Sequence, residues 1–323
     1  AQIDREVYME QPQGFNDGSG RVCKLKKSLY GLCQSPMLWN KTFAEFLVTL
    51  DLKQLTTDQC VFIQRDAKTI LILIVYVDDG LLFGNNKEAM GKVINKLKGK
   101  FQLTVSDAPS IKFIGIEIAK TQETIEMSQG TYIDTLVNKY NMCNVRKSET
   151  PMELNFNPNE GEVNENLSTA YRAIIGSLLY LAKNTRPDIA YAVNRLSQYC
   201  TKANETYMKA AMRVLRYAIT TRNYKLVTKK TENSMRITCY TDSDFCGEKE
   251  TRKSTSGVIM LINDCPVTWL SRKQPMIAQS TCEAEFIATC EGTKECLWLT
   301  NLLSEMEIEF TSPIPIYSDN MSS

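Results

Sequence analysis

The 323-residue sequence predicts an α/β fold of the α+β type: an antiparallel sheet with helices, a mostly helical middle, and a partial mixed sheet with helices. Three observations predict this order. Residues 61–84 are apolar stretches broken by turn residues, which is typical of strands. Residues 169–220 carry apolar side chains at helical spacing. From about residue 236 the pattern becomes strand, strand, strand, helix, strand.

The first part of the chain begins with a polar, turn-rich stretch, residues 1–20, which predicts a loop. A basic cluster follows: Arg21, Lys24, Lys26 and Lys27. Residues 35–50 then predict a helix, with four inward-facing side chains: Leu38, Phe43, Phe46 and Leu47. Residues 61–84 predict three strands, the last two joined at Asp78-Asp79-Gly80.

Helical spacing returns over residues 86–101, where five apolar residues recur at i, i+3, i+4, i+7 and i+11: Met90, Val93, Ile94, Leu97 and Phe101. The opposite face carries Lys92, Lys96 and Lys100. Residues 111–128 predict a second hairpin, and Ser128 is expected to cap a helix that runs to Tyr140.

A polar, acidic and Asn-rich stretch, residues 151–168, is the best linker candidate. It predicts three parts of the chain: residues 1–150, residues 151–235 with the helical middle, and residues 236–323 with the second sheet.

Composition excludes several classes of function. The hydrophobic fraction of 43% and the charged fraction of 23% are those of an ordinary globular protein. The net charge of +1 predicts no overall basic field, and no apolar run reaches the ~18 residues that a spanning helix needs. Eleven cysteines without a CxxC pair, and no histidine, argue against a zinc site, a disulfide framework and every catalytic pair that uses histidine.

The stretch YVDDG places Asp78 and Asp79 between two apolar runs. One interpretation is a hairpin turn at Asp79-Gly80, a favoured two-residue connection. The other is a cation site, because ionised carboxylates resist burial unless they are paired or bind a metal. The two are compatible, since a hairpin tip is a rigid place to present carboxylates to Mg²⁺ for nucleotidyl transfer.

A second group of acids lies at the ends of C-terminal elements. Asp242 and Asp244 end a strand, Glu283 and Glu285 begin a helix, and Asp319 follows the last strand. Acids at one edge of a sheet suit two metal ions. Helix capping and turn chemistry are the alternative explanation for each of them.

Nine ordered stretches together resemble the Pol polyprotein of Ty/copia-type LTR retrotransposons. They are VYMEQPQGF (7–15), KLKKSLYGLCQSPMLW (24–39), YVDDGLLFG (76–84), FIGIEI (113–118), YRAIIGSLLYLAKNTRPDIAYAVNRLSQY (171–199), RVLRY (213–217), TDSDFCGEKETRKSTSGVIMLI (241–262), QSTCEAEFIA (279–288) and YSDN (317–320). The resemblance runs essentially end to end and implies a reverse transcriptase palm and thumb followed by an RNase H-like region.

For the polymerase, the resemblance implies that Asp78 and Asp79 are the catalytic metal-binding pair. It implies that Tyr30, Gly31 and Gln34 line the incoming nucleotide and the template, and that Tyr76 lies under the primer terminus. The FIGIEI stretch resembles the hairpin that grips the primer end.

For the RNase H-like part, the resemblance implies that three acids bind Mg²⁺, with Mn²⁺ as a possible substitute: Asp242, Glu283 and Asp319. Asp244 and Glu285 are expected to be bystanders. The implied partners are an RNA template, a DNA primer, dNTPs and an RNA–DNA hybrid, with no membrane. The implied location is a cytoplasmic virus-like particle.

The sequence also departs from the family pattern. The family's first polymerase aspartate would precede Ala1, and its fourth RNase H acid would follow the YSDN stretch. Cys33 and Met37 stand where the family usually has Lys and Arg. The isolated chain is therefore expected to be inactive. Three hypotheses follow: a fragment of a working enzyme, a co-opted remnant that binds nucleic acid without catalysis, and a decayed product that does not fold.

Overall fold

The structure, a computed structural model, describes residues 2–154, 156, 162–231, 234–248 and 251–320. Part of the expected linker, at residues 155 and 157–161, lies outside the described residues. The chain divides into two compact units, Ala1–Thr104 and Val105–Ser323. This division does not coincide with the boundaries expected at 150/151 and 235/236, which remain predictions about domain organisation.

The described part of the first unit, residues 2–104, contains a two-stranded ribbon, a four-stranded antiparallel sheet and two helices. In chain order these are β1 (Tyr8–Met9), β2 (Cys23–Lys24), α1 (Ser35–Val48), β3 (Lys53–Gln54), β4 (Val61–Arg65), β5 (Ile70–Tyr76), β6 (Asp79–Gly84) and α2 (Lys87–Lys100). The ribbon pairs β1 with β2, and the larger sheet has the order β3-β4-β5-β6. The three strands and two helices predicted for residues 35–101 are confirmed.

The core of the first unit forms where one face of the larger sheet meets the two helices. Its buried members include Leu47, Phe62, Leu71 and Leu73. Helix α2 buries Val93 and Leu97, as the helical spacing predicts, and leaves its lysine face exposed. Asn86 begins α2, because its side chain accepts a hydrogen bond from the Ala89 amide at 3.1 Å.

The second unit contains two further sheets and five α-helices in the part of the chain that the structure describes. In chain order these are β7 (Ser110–Phe113), β8 (Ile116–Lys120), β9 (Thr124–Ser128), α3 (Gly130–Lys139), α4 (Glu165–Asn184), a 3-10 turn (Pro187–Ile189), α5 (Ala190–Ser197), α6 (Glu205–Thr220), β10 (Leu226–Lys229), β11 (Ile237–Asp244), β12 (Thr255–Ile262), β13 (Cys265–Lys273), α7 (Thr281–Glu305) and β14 (Ile316–Tyr317).

Two local expectations for this unit need correction. Residues 111–128 form three strands rather than one hairpin, because Gly115 allows a tight turn with φ of 70° and a second turn follows at residues 121–123. Ser128 ends β9 instead of capping α3. Its hydroxyl donates to Glu117 at 3.2 Å, and the helix begins after Gln129.

Helices α3, α4, α5 and α6 of the second unit pack into one core. Its fully buried residues include Tyr171, Leu178, Leu196 and Val214, which come from three different helices. The predicted helical stretch 169–220, with its break at TRPD, is confirmed. No helix among the described residues is both long enough and apolar enough to cross a membrane.

The C-terminal sheet has the order β13-β12-β11-β14. The first three strands pair antiparallel, whereas β14 pairs parallel to β11, so the predicted mixed sheet is confirmed. Helix α7 packs on one face of this sheet. Its Leu299 forms a core with Ile237, Cys239 and Met260 of the strands. The ends of β11 and β14 therefore lie beside the start of α7.

Candidate metal centres

The first centre is the tip of the β5–β6 hairpin. Tyr76 pairs with Asp79 and Val75 pairs with Gly80, so the two-residue connection is Val77-Asp78. The expectation that Asp79-Gly80 forms the turn is wrong. In the observed register Leu73 pairs with Leu82 in the core, whereas a turn at Asp79-Gly80 would set Leu73 opposite Asn86, the residue that caps α2.

The hairpin presents both carboxylates to solvent. Asp78 is in the connection, Asp79 is the first residue of β6, and both are exposed. Tyr76, the last residue of β5, is 56% exposed. Val77 has a φ of 57°, a backbone region that a β-branched side chain rarely adopts.

A contact that sequence reasoning missed reaches this tip. The indole Nε1 of Trp39, in α1, donates a hydrogen bond to the carbonyl oxygen of Val77 at 2.8 Å. Trp39 belongs to the KLKKSLYGLCQSPMLW stretch, but nothing in the spacing of the sequence relates it to residue 77. The signal was only that a tryptophan at the start of a helix carries a donor that needs a partner.

The other predicted polymerase residues lie before or at the start of α1. Tyr30 is 86% exposed, Gly31 has a φ of 96°, and Gln34 immediately precedes the helix. A glycine suits residue 31 because the left-handed region is strained for other side chains. Their roles toward a nucleotide or a template remain predictions.

The second centre brings three carboxylates together at one end of the C-terminal sheet. Asp242 lies near the end of β11, Glu285 in the first turns of α7, and Asp319 just after β14. One carboxylate oxygen from each lies within 4.8 Å of the others. Asp242 and Asp319 were predicted for this centre, whereas Glu285 was expected to be a bystander.

Glu285 is buried and held by hydrogen bonds. Its Oε1 accepts from the Ser243 amide at 3.0 Å and from the Ser243 hydroxyl at 2.8 Å. Its Oε2 accepts from the Ser318 hydroxyl at 3.4 Å. The two serines directly follow Asp242 and precede Asp319, so the same backbone segments that carry two acids fix the third.

Glu283 is turned away from this group and stabilises the start of α7. Ser280 caps the helix by accepting from the Glu283 amide at 3.1 Å, and the Glu283 side chain accepts from the Gln279 amide at 2.7 Å. This reciprocal arrangement resembles a capping box. The sequence-based choice of Glu283 over Glu285 therefore does not match the geometry, because residues two apart on a helix face different directions.

Asp244 also lies outside the group of three. It is exposed, and its carboxylate occupies the space where a side chain at Gly247 would begin. Although Asp244 reaches solvent, neighbouring protein atoms desolvate its carboxylate and raise its pKa; Arg195 opposes this effect and the charge of Asp242 adds to it.

The donor set fits a hard divalent cation. All three converging ligands are carboxylates, which Mg²⁺ prefers, and the buried ligand Glu285 is oriented by hydrogen bonds before any ion binds. At the hairpin tip, Asp78 and Asp79 offer the same kind of ligand.

Comparisons with known proteins define the class of the first part of the chain. Residues 1–154 match the family described as reverse transcriptase (RNA-dependent DNA polymerase). This match includes the β5–β6 hairpin and the stretch that carries Trp39.

Three relatives extend the comparison. The chain is 36% identical, over 98% of its length, to a retrovirus-related Pol polyprotein from transposon RE1 of Arabidopsis thaliana, and covers 22% of that protein. It is 32% identical over 99% of its length to the corresponding polyprotein from transposon TNT 1-94 of Nicotiana tabacum, covering 25% of it. It is 28% identical over 91% of its length to a putative transposon Ty5-1 protein of Saccharomyces cerevisiae, covering 96% of it.

The chain belongs to the Ty1/copia-type Pol polyproteins of retrotransposons and contains their reverse transcriptase domain. It spans a quarter or less of the length of the plant polyproteins that it matches.

Proposed function

We propose that this chain carries the polymerase hairpin and the RNase H-type centre of a retrotransposon Pol polyprotein. The intact protein would copy RNA and DNA templates from a DNA primer with dNTPs, and would hydrolyse the RNA strand of the resulting RNA–DNA hybrid. The observation that carries the proposal is the convergence of Asp242, Glu285 and Asp319 at one end of a mixed sheet, in a chain whose first 154 residues match the reverse transcriptase family.

The residues divide into two sets of metal ligands. Asp78 and Asp79 would hold Mg²⁺ at the hairpin, and Asp242, Glu285 and Asp319 would hold it at the hydrolytic centre, with Mn²⁺ as a substitute. When bound, a pair of such ions activates the attacking oxygen and stabilises the leaving oxygen of a phosphoryl group.

The protein's own contribution is positioning. Ser243 and Ser318 donate hydrogen bonds to Glu285, which keeps this buried carboxylate aimed at the other two acids. Tyr76, exposed beside the hairpin acids, would contact the primer terminus, and Tyr30, Gly31 and Gln34 would contact the nucleotide and template. The proposed location is a cytoplasmic particle.

The choice between Glu285 and Glu283 gives the test of the hydrolytic centre. Loss of an outer-shell partner weakens metal affinity by about 10–100-fold, and we expect Glu285→Gln, which changes a direct ligand, to weaken Mn²⁺ binding by more than that. Water proton relaxation measures the Mn²⁺ affinity. Glu283→Gln is the matched control: it keeps a side-chain acceptor for the Gln279 amide, so Mn²⁺ affinity should stay near that of the unmodified chain.

The same two variants are to be compared for cleavage of a labelled RNA–DNA hybrid in the longer polyprotein. Cleavage should disappear with Glu285→Gln and persist with Glu283→Gln. Loss of cleavage with Glu283→Gln but not with Glu285→Gln would restore the sequence-based prediction that Glu283 is the metal ligand. Equal Mn²⁺ binding and equal cleavage by both variants and the parent would refute the centre.

A second candidate function is nucleic-acid binding without catalysis. The exposed lysines of α2, Lys96, Lys98 and Lys100, favour it because phosphate contacts supply sequence-independent affinity. A binding-only protein would retain a salt-dependent affinity for the hybrid and would show no metal-dependent cleavage that Glu285→Gln abolishes.

A further inference from the structure

We propose that Trp39 is a positioning residue for the Asp78-Asp79 hairpin, an inference that rests on the polymerase function proposed above. The indole Nε1 of Trp39 donates to the Val77 carbonyl at 2.8 Å, across 38 positions of sequence. This hydrogen bond joins helix α1 directly to the two-residue connection of the hairpin.

The peptide that Trp39 contacts is the one that sets the direction of the acids. Val77 and Asp78 form the connection between the paired residues Tyr76 and Asp79, so the strand ladder leaves the Val77 carbonyl unpaired. The plane of the Val77–Asp78 peptide determines where the Asp78 side chain leaves the backbone. A hydrogen bond to the Val77 carbonyl therefore restricts the orientation of Asp78 and of Asp79.

The tip needs such a restraint. Val77 has a φ of 57°, in the left-handed region, where a β-branched residue is strained. Val77 is also 52% exposed, so side-chain packing contributes little to holding this conformation. The hydrogen bond from Trp39 is a contact from outside the hairpin that favours the strained peptide.

Trp39 is itself held firmly enough to act as a fixed donor. Its ring stacks on Phe43 of α1 with centroids 5.5 Å apart, and meets the edge of Phe101 at 5.5 Å. Phe101 follows α2 directly and Phe43 packs edge-on to Phe62 of β4. The indole thus connects the core of the first unit to its hairpin tip. Phenylalanine at residue 39 could reproduce the packing but could not donate a hydrogen bond.

Trp39→Phe isolates the hydrogen bond from the packing. Amide hydrogen exchange of Asp78, Asp79 and Gly80 in the 323-residue chain gives a readout that does not depend on activity. We expect these amides to exchange about 3–10 times faster in Trp39→Phe, the range that one lost hydrogen bond corresponds to, with exchange in α1 and α2 unchanged. Trp298→Phe is the matched control, because Trp298 is 45% exposed on α7 in the other unit.

Mn²⁺ binding gives the functional readout, measured in an Asp242→Asn background so that the second centre does not contribute. We expect Trp39→Phe to weaken the hairpin's Mn²⁺ affinity about 3–10-fold and Trp298→Phe to leave it unchanged. The double variant Asp78→Asn/Asp79→Asn defines how much of the signal belongs to the hairpin.

The outcomes separate the inference from the function on which it rests. If Asp78→Asn/Asp79→Asn removes Mn²⁺ binding but Trp39→Phe changes neither affinity nor exchange, the positioning role is refuted and the polymerase centre stands. If the double variant leaves Mn²⁺ binding intact, the metal role of the hairpin and the inference both fail. Faster exchange throughout the first unit in Trp39→Phe would show a general structural role and would also overturn the proposal.

Discussion

At the scale of single residues, Gln274 shows how an uncharged side chain supports an acidic centre. It is buried just after β13, and its Nε2 donates to the Ser256 hydroxyl and to the Ala284 carbonyl, both at 2.9 Å. Ala284 directly precedes Glu285. The Gln274 side chain therefore connects the sheet to the helical turn that carries the buried metal ligand.

We expect Gln274→Met to lower the free energy of unfolding by about 1–2 kcal/mol, because it keeps the chain length but leaves the buried Ser256 hydroxyl without its donor. It should also weaken Mn²⁺ binding at the Asp242 centre. Urea unfolding and an Mn²⁺ titration measure the two effects. Gln279→Met, at an exposed position, is the control and should change stability by less than about 0.5 kcal/mol. Normal Mn²⁺ affinity in Gln274→Met would mean that the contact is only structural.

The helical spacing of α7 in the sequence indicates which of the two glutamates, Glu283 or Glu285, faces the sheet. Five small or apolar residues of α7 follow Glu285 in phase at i+3, i+7, i+11, i+14 and i+18: Ala288, Gly292, Cys296, Leu299 and Leu303. This stripe is the buried face, and Glu285 belongs to it. The S-x-x-E pattern of Ser280 and Glu283 is likewise a helix-start signal. The contact of Trp39 with Val77 had no such pattern, because it depends on tertiary packing.

At the scale of elements, the distance between α7 and β11 decides whether the three acids meet. Gly292 is buried at this contact, and a side chain there would begin 2.6 Å from the Thr241 methyl group and 3.1 Å from the Cys239 sulfur. Thr241 directly precedes Asp242. The glycine thus allows the helix to approach the strand that carries the first acid.

Gly292→Ala should therefore destabilise the second unit by about 1–3 kcal/mol through overpacking, despite the better helix propensity of alanine. Gly176→Ala in α4 is a control of opposite sign: no atom lies within 4 Å of the added methyl group, so stability should rise by about 0.5–1 kcal/mol. Thermal unfolding followed by circular dichroism distinguishes the two. Equal effects of both substitutions would contradict the close approach of α7 to β11.

The elements themselves were largely predictable, and the hairpin tip shows where prediction stopped. Apolar periodicity predicted β5 and β6, but turn propensity favoured Asp79-Gly80 as the connection. The pairing of Leu73 with Leu82 instead closes the hairpin at Val77-Asp78. The packing of Leu73 against Leu82 in the core outweighs the preference of a turn dipeptide, and that packing is visible only when the whole sheet is assembled.

At the scale of the whole molecule, the helical core and the C-terminal sheet of the second unit share buried charges. Glu248, 3% exposed, forms ion pairs with Arg195 of α5 and with Lys273 of β13, the latter at 3.1 Å, and accepts from the Tyr199 hydroxyl at 3.3 Å. The Trp269 indole of β13 also donates to the Ala182 carbonyl of α4 at 2.6 Å. These contacts cross the boundary expected at residues 235/236 and favour cooperative unfolding of the helices with the sheet.

The Glu248 cluster makes this cooperation dependent on pH. Burial alone would raise the pKa of Glu248, but hydrogen bonds from Lys273 and Arg195 together lower it below the ordinary value of 4.5. A lowered pKa in the folded state means that the ionised carboxylate stabilises the fold above pH 4.5, and that this contribution is lost as the pH falls through the lowered value.

Glu248→Gln should accordingly lower the free energy of unfolding by about 3 kcal/mol at pH 7, because Arg195 and Lys273 lose their partner in a buried site. The difference from the unmodified chain should shrink as the pH falls below 4.5 and through the lowered pKa of Glu248, since protonation removes the same charge. Urea unfolding across this pH range, followed by circular dichroism, measures both effects.

Glu205→Gln is the control for the loss of one carboxylate. Glu205 is 77% exposed and 3.9 Å from Lys209, a surface pair expected to contribute less than about 1 kcal/mol at any pH. If the destabilisation by Glu248→Gln is the same at pH 7 and at every pH below 4.5 where the chain still folds, hydrogen-bond geometry and not charge joins the helices to the sheet. If it has no effect at pH 7, the buried cluster does not couple them.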